Sequence, residues 1–177
     1  MSRRSILRCA AAIVPLFAIC NVASAQVSGN QAFIVNVPAN LSITPPNAGV
    51  SLTHDETDSD QIFPNQAWQV RANSRLGATV VFSTNQAFTH TLDSTFVRDA
   101  RLDLAISSAS GPANWTIGAA SDQTDYASAD GVATVQAQSD RPGQAVFDLT
   151  VTFVTTQWDT LASGDYLTIV TGTLSAN

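Results

Sequence analysis

The residues best suited to do chemistry form an acidic segment at positions 54–60. It contains four carboxylates, those of Asp55, Glu56, Asp58 and Asp60. Because Ca²⁺ in proteins takes about six to eight oxygen ligands, a cluster of this kind predicts a calcium site. Its spacing does not follow the helix–loop–helix calcium loop, and the glycine that this loop requires is missing. The alternative interpretation is an acidic loop that water solvates without a metal.

Two of the three tryptophans are candidates for binding sugars. Trp115 and Trp158 lie beside turn signals, where an aromatic ring can stay exposed and stack on the apolar face of a sugar. The alternative is that both rings cap the ends of a packed domain, because tryptophan is highly buried on average. Trp68 alternates with Val70 in a strand pattern and is predicted to lie in the core.

Motifs for catalysis are missing from the sequence. His54 and His90 are far apart, and neither belongs to a His-Glu-x-x-His metal motif. The chain has no Gly-x-Ser-x-Gly elbow, phosphate-binding loop or dinucleotide glycine pattern, and without lysine it cannot form a Schiff base. Cys9 and Cys20 both precede the predicted mature chain, which excludes cysteine nucleophiles, disulfides and zinc thiolate sites there. We therefore expect a protein that is not an enzyme and that has no cofactor apart from the calcium considered above.

The N-terminal residues 1–25 have the layout of an export signal. Three arginines precede an apolar run at residues 9–20, and Ala23-Ser24-Ala25 offers small residues to a signal peptidase. The run is shorter than the roughly 20 residues that a membrane-spanning helix needs. We expect cleavage before Gln26, leaving a mature domain at residues 26–177 without membrane attachment. The paired arginines resemble the bacterial twin-arginine export address, with an ordinary secretory signal as the alternative.

Charge and size limit the partners of the mature domain. Loss of residues 1–25 leaves five arginines against fourteen acidic residues, a formal charge of −9. An acidic domain repels phosphate backbones, so nucleic acid is excluded as a partner. A chain of about 150 residues buries enough surface to be stable without disulfides. These features predict a bacterial protein that is secreted or held at the cell surface, with the periplasm as the other destination that export allows.

Alternating apolar and polar residues predict strands along most of the mature chain. The clearest alternating stretches are residues 68–73, 101–106 and 145–153, and further strands are predicted at residues 33–37, 78–82, 132–138 and 166–174. Alternation with period two means that one face is buried and the other is wet. Turn signals separate the stretches, residues 47–64 are predicted to form a long polar loop, and no helical pattern persists beyond about two turns. We predict one all-β domain, an antiparallel sandwich of the immunoglobulin-like or Greek-key kind with about seven to nine strands.

The C-terminal segment carries a resemblance to known surface proteins. Leu161, a tight turn at Gly164 and Tyr166 at the start of a Thr- and Val-rich strand suggest the tyrosine-corner geometry of sandwich domains. This Gly-x-Tyr entry into a last strand also resembles bacterial surface and fimbrial β-sandwich subunits, including the spore-coat U type. The resemblance implies a structural or adhesive role in a surface fibre, coat or matrix. It covers only this segment, and the cysteines that many of those subunits carry are missing from the mature chain.

Both ends of the mature chain are uncharged where strands are predicted, at residues 33–37 and 166–174. Exposed edge strands are normally protected by charge, often by lysine, and this chain has no lysine. We therefore expect self-association through a terminal edge strand. The leading hypothesis is a non-enzymatic extracytoplasmic protein with a structural or adhesive role. The alternatives are a carbohydrate-binding module that recognises a surface polysaccharide through Trp115 or Trp158, and a calcium-dependent adhesion domain.

Overall fold

The computed structural model describes residues 27–177, and strands dominate that part of the chain. In order, the elements are β1 (Leu41–Thr44), β2 (Gln61–Ile62), β3 (Gln66–Ala72), β4 (Ala78–Thr84), β5 (Phe88–His90), β6 (Val97–Arg98), β7 (Ala100–Ser110), β8 (Trp115–Ala119), β9 (Ser121–Gln123), a 3₁₀ turn (Tyr126–Ser128), β10 (Thr134–Ser139), β11 (Gly143–Phe153), a second 3₁₀ turn (Trp158–Thr160), β12 (Tyr166–Leu167) and β13 (Val170–Ala176). The all-β prediction is confirmed. The predicted export signal at residues 1–25 and the cleavage point before Gln26 lie outside the described residues. Within residues 27–177, no helix has the length and apolar character needed to cross a membrane.

The strands pair antiparallel and form three sheets. The largest sheet has the order β1-β3-β11-β7-β9, with β2 added beside β11, and the second has the order β13-β4-β10-β8. The third is a small sheet with the order β12-β5-β6. The chain passes from the first large sheet to the second between β3 and β4, and again between β7 and β8. In the first sheet, β11 lies between β3 and β7, neither of which is its neighbour in sequence. Crossings of this kind are typical of Greek-key sandwiches.

The two larger sheets pack against one hydrophobic core, called here the main core. Its buried residues are Val70, Ala72, Ala78, Val80, Phe82, Leu102, Leu104, Trp115, Ala133, Val135, Ala137, Ala145, Phe147 and Leu149. The ring of Phe147 connects the two sheets, with its centroid 6.2 Å from that of Phe82 and 5.4 Å from that of Trp115. In β11, Ala145, Phe147 and Leu149 are buried and the residues between them are partly exposed. The predicted alternation holds as far as Thr150, but at the end of the strand Val151 is partly exposed and Thr152 is buried, contrary to the prediction.

A smaller group of buried side chains, called here the end cluster, lies where β11 ends and the three-stranded sheet begins. It consists of Phe88, Ala100 and Phe153, with Phe63, Val151, Leu161 and Tyr166 packed against it. The ring centroid of Phe153 lies 5.2 Å from that of Phe88 and 5.5 Å from that of Tyr166, both in edge-to-face arrangements. Aromatic pairs prefer this geometry because the positive ring edge meets the negative ring face.

The number of strands and one strand boundary differ from the prediction. Eight of the thirteen strands have at least four residues, which is within the predicted range, and the other five have only two or three. The strand predicted at residues 166–174 is divided into β12 and β13, which join different sheets. The Asn85 side chain accepts a hydrogen bond from the Ile169 backbone N–H at 2.8 Å, and the Asn85 N–H donates to the Ile169 carbonyl at 2.9 Å. These two bonds hold the chain at the point where it passes between the sheets.

The strand predicted at residues 33–37 is wrong for the single chain. Residues 27–40 have no strand assignment, and the first strand is β1, which pairs with β3. The sandwich lies within residues 37–177, whereas residues 27–36 have no assigned secondary structure and belong to a separate unit. The exposed fractions of Phe33, Ile34 and Val35 are 85%, 90% and 86%. A strand is defined by hydrogen bonds to a partner strand, and this segment has no such partner among residues 27–177.

Candidate functional site

The candidate site is a depression of about 670 Å³ above the end cluster. We call it the Trp158 pocket; Phe63, Phe88, Phe153 and Tyr166 line its aromatic side, and its other lining residues include Val50, Leu52, His54, Glu56, Trp158, Leu161, Ser163 and Asp165. A second depression, of about 760 Å³, lies on the outer face of the six-stranded sheet, and its lining has no aromatic side chain. Binding pockets for small molecules usually combine aromatic walls with a few polar groups, which favours the Trp158 pocket.

The acidic segment folds over one side of this pocket and uses its carboxylates as hydrogen-bond acceptors. Asp55 Oδ1 accepts from the Thr57 hydroxyl at 2.8 Å, from the Thr57 N–H at 3.1 Å and from the Gln61 side-chain amide at 2.8 Å. The Thr57 hydroxyl is the largest of the influences that hold the pKa of Asp55 below its ordinary value, although partial desolvation opposes them. Turns closed by such Asp and Thr side chains order a loop that has no strand partners.

Asp58 and Asp60 attach the acidic segment to the chain that follows β11. Asp58 Oδ1 accepts from the Trp158 N–H at 2.9 Å, and Asp60 Oδ1 accepts from the Thr155 N–H at 3.1 Å. The second oxygen of Asp60 lies 3.6 Å from Nη1 of Arg101. The two hydrogen bonds join residues 95 and 100 positions apart in the sequence.

The predicted calcium site at Asp55, Glu56, Asp58 and Asp60 is not assembled. Asp55, Asp58 and Asp60 bind different donors, as described above, and their oxygens do not converge on one point. In residues 27–177, no three His, Cys, Asp or Glu side chains are grouped so that they could hold a metal ion. In this structure the carboxylates of the acidic segment accept hydrogen bonds within the loop and from the chain that follows β11, and calcium binding stays a prediction.

His54 fixes the acidic segment through both of its ring nitrogens. Nδ1 accepts from the Glu56 N–H at 3.0 Å, which leaves the ring proton on Nε2, and Nε2 donates to the Thr155 hydroxyl oxygen at 3.0 Å. The Thr155 hydroxyl in turn donates to the Ser59 carbonyl at 2.8 Å. Thr155 is completely buried. His54 therefore has a structural role, because it joins the acidic segment to Thr155.

His90 has the same arrangement against the loop that contains Ser163, which lines the pocket. Its Nδ1 accepts from the N–H groups of Leu92 and Asp93 at 3.2 and 3.0 Å, and its Nε2 donates to the Ser163 carbonyl at 3.2 Å. Gly164 has a φ of 142°, and a Cβ atom at this position would overlap the His90 ring. Only glycine satisfies both the backbone angle and the close approach of the ring.

Tyr166 closes the same loop by a hydrogen bond to the backbone. Its hydroxyl oxygen accepts from the Ala162 N–H at 3.1 Å. A tyrosine bonded to the backbone a few residues upstream is the local geometry of a tyrosine corner, which the sequence suggested for this segment. The ring of Tyr166 also lies edge-on to His90, with centroids 5.2 Å apart.

Trp158 is presented by a 3₁₀ turn that is held at both ends. Asp58 binds the backbone N–H of Trp158, as described above, and the Thr160 hydroxyl donates to the Gln157 carbonyl at 2.7 Å. The buried Arg98 donates from Nη2 to the Thr160 hydroxyl oxygen. The exposed fraction of Trp158 is 42%. The structure thus places Trp158 where the sugar-binding hypothesis requires it, in the lining of a pocket and partly open to solvent.

Trp115 does not fit the sugar-binding hypothesis. Its exposed fraction is 6%, and its ring packs edge-on against Phe147 in the main core. As the first residue of β8, it pairs with Ser139 of β10 and faces the interior of the sandwich. The expectation that Trp115 offers a stacking surface is therefore wrong, because packing against the second sheet removes both faces of the ring from solvent.

Several lining residues were not predicted from the sequence. Val50 and Leu52 alternate with polar residues inside the predicted polar loop, and their alternation is the signal that could have identified them. Both side chains remain partly exposed. Asp165 and Ser163 belong to a turn whose residues do not indicate a pocket.

Comparison with known proteins finds no matching family model, curated protein or solved structure.

Proposed function

We propose that this chain is a non-enzymatic bacterial protein with a structural or adhesive role outside the cytoplasm, and that it self-associates through residues 33–37. The observation that carries the proposal is the exposure of Phe33, Ile34 and Val35 in a segment without charge. Large apolar side chains that are adjacent and exposed mark association surfaces more often than isolated ones do. The proposal includes export by the N-terminal signal and removal of residues 1–25.

The acceptor in this proposal is the edge of β13 that has no strand partner in its sheet, although β1 of the other large sheet lies close to β13. This strand ends the order of the four-stranded sheet, and its seven residues include neither a charged residue nor proline. The edges of the other large sheet are less suitable, because β1 has four residues and precedes Pro45, and β9 has three residues that include Asp122. An extended peptide can add to an uncharged edge by main-chain hydrogen bonds.

The histidines support the non-enzymatic part of the proposal. His54 and His90 each use both ring nitrogens in hydrogen bonds that hold loops, so neither is available as a general base. A general base must reach the proton that it removes from a substrate. The carboxylates of Asp55, Asp58 and Asp60 are likewise occupied by donors of the chain itself.

The proposal is tested by truncation of the mature chain. Residues 26–177 should form concentration-dependent oligomers in sedimentation velocity, whereas residues 38–177 should sediment as a monomer. Addition of a peptide with the sequence of residues 26–37 should produce a complex with the truncated chain, and the same peptide with Val35→Asp should not. A full-length mature chain that remains monomeric at high concentration would show that the proposal of self-association is wrong.

The export part of the proposal is tested by mass spectrometry. The intact mass of the exported protein should correspond to a chain that begins at Gln26.

A further inference from the structure

The Trp158 pocket combines an exposed aromatic face with hydrogen-bonding groups. Trp158 is partly exposed on a fixed turn, and the apolar side chains of Val50 and Leu52 also line the pocket. The same lining holds the hydroxyl groups of Ser51, Thr53 and Ser163. A saccharide presents an apolar ring face and a rim of hydroxyl groups, and this combination of side chains matches both.

The charges of the lining restrict the kind of saccharide. Glu56 and Asp165 both line the pocket, and no arginine does so. Carboxylates accept hydrogen bonds from sugar hydroxyl groups, and such charge-assisted bonds are stronger than neutral ones. The same carboxylates repel uronate, sulfate and phosphate groups, and the charge of −9 on the mature chain adds to that repulsion.

Two residues beside the pocket have backbone angles that are unfavourable by themselves, so other contacts must stabilise them. Glu56 and Thr156 have φ values of 61° and 60°, in the left-handed region that residues other than glycine rarely adopt. Backbone strain of this kind tends to occur at binding and catalytic sites. The hydrogen bond from the Glu56 N–H to His54 and the bond from Trp158 to Asp58 stabilise the loops on the two sides. A pocket preorganised in this way loses less conformational freedom when it binds a ligand.

We propose that the Trp158 pocket binds a neutral saccharide, with the sugar ring stacked on Trp158 and its hydroxyl groups bonded to Glu56 and Asp165. All residues that line this site belong to the sandwich, and none of residues 33–37 is among them, so the site is independent of the self-association proposed above. Either proposal can fail without the other. An acidic glycan is not a ligand of this site.

The test uses the full mature chain and the emission of its tryptophans. Trp115 is buried and Trp68 is partly buried, so a sugar that stacks on Trp158 should change mainly the most exposed of the three signals. The neutral probes are laminarin, mannan and dextran, the acidic probes are alginate and polygalacturonate, and a chitosan oligomer tests a cationic sugar. At least one neutral probe should bind and shift the emission to shorter wavelength, and the acidic probes should not bind at low or high salt.

Matched variants locate the ligand. Trp158→Ala should weaken binding of the neutral probe at least about tenfold, as expected for an aromatic anchor, and Trp158→Phe should recover part of that loss. Tyr126→Ala, which removes an aromatic side chain of similar exposure outside the pocket, should leave binding unchanged. Three results would overturn the proposal. These are no binding of any neutral probe, binding of the chitosan oligomer alone, and binding that is lost in Arg71→Ala on the outer sheet face but retained in Trp158→Ala.

Discussion

The main core and the end cluster are both hydrophobic, but different interactions determine their shapes. The main core is formed by strands in regular register, and side chains on one face of each strand meet those of the opposite sheet. Loops cover the end cluster, and these are held by single side-chain hydrogen bonds across 73 to 101 residues of sequence. Burial therefore stabilises the sandwich, whereas a few polar contacts give the Trp158 pocket its form.

Because of this difference, we expect substitutions to affect either the stability of the whole domain or the geometry of the Trp158 pocket, but rarely both. Removal of a buried side chain from the main core should weaken the whole domain, because two-state unfolding involves every strand at once. Loss of one hydrogen bond at the end cluster should instead release a loop while the sheets remain paired, since local openings require less free energy than global unfolding. Substitutions in the main core should therefore have larger effects on global stability than changes in the acidic segment.

Leu149→Ala should have the largest effect. Leu149 is fully buried in β11, and loss of its side chain should lower the free energy of unfolding by about 2–5 kcal/mol through lost burial and the remaining cavity. Thr150→Ala, on the opposite face of the same strand, should cost less than about 1 kcal/mol. Denaturant titration of both variants measures the difference. Equal costs would mean that β11 does not have one buried and one wet face.

Thr155→Val should have an intermediate effect that is concentrated at the pocket. Its hydroxyl oxygen accepts from His54 and its hydroxyl proton goes to the Ser59 carbonyl, so valine leaves both groups unsatisfied at a cost of about 1–3 kcal/mol. Thr152→Val is the matched control. Thr152 is also completely buried, but within the described residues its hydroxyl has no hydrogen-bond partner, so valine should be neutral or stabilising there.

Hydrogen exchange should distinguish the two threonine variants further. In Thr155→Val, amides of residues 54–60 should exchange faster while those of β3 and β7 keep their protection. Uniform acceleration over the sheets would show that the acidic segment and the sandwich unfold as one unit, which contradicts the separation described above.

Acid should loosen the acidic segment through Asp55. Because hydrogen bonds from Thr57 and Gln61 lower the pKa of Asp55 in the folded state, their stabilisation is fully present above the ordinary aspartate pKa of about 3.9. It is lost as the pH falls through the lowered folded value. Asp55→Asn should flatten the pH dependence of Trp158 emission below about pH 4, whereas Asp159→Asn should not. Identical profiles for Asp55→Asn and the wild type would contradict this assignment.

Calcium should have the smallest effect, because the carboxylates of the acidic segment already have partners. Millimolar Ca²⁺ should leave the melting temperature unchanged, since only a ligand that binds the native state raises it. A rise in melting temperature that disappears in the double variant Asp58→Asn, Asp60→Asn would show that the loop rearranges into a metal site. That outcome would restore the calcium-dependent adhesion hypothesis.

The two regions also differ in how well the sequence predicts them. Alternation along β7 and β11 is a local pattern with period two, so the fold class and the buried face of Leu149 could be predicted from neighbouring residues. Trp115 and Trp158 have similar turn signals beside them, yet one ring packs on Phe147 and the other lines the pocket. Whether each ring is buried or exposed depends on contacts between distant segments, such as that of Asp58 with the Trp158 N–H. No local sequence pattern contains this information.

The segment at residues 33–37 shows a different limit of local patterns. Its residue types favour a strand, but a strand also needs a partner edge, and residues 27–177 of the single chain provide none. If a second copy supplies that edge, the strand prediction describes the assembled protein. The structure of a single chain would then show residues 33–37 without their partner strand.

Cysteine cross-linking tests the proposed assembly most directly, because the mature chain has no cysteine of its own. Val35→Cys protein is mixed with a second protein that carries Thr171→Cys, Thr173→Cys or Ser175→Cys, all exposed positions on β13. Thr116→Cys, exposed on β8 at the other edge of the same sheet, is the control. Oxidation should give a disulfide-linked heterodimer with at least one β13 position in much higher yield than with Thr116→Cys. Equal yields at β13 and β8 would contradict it.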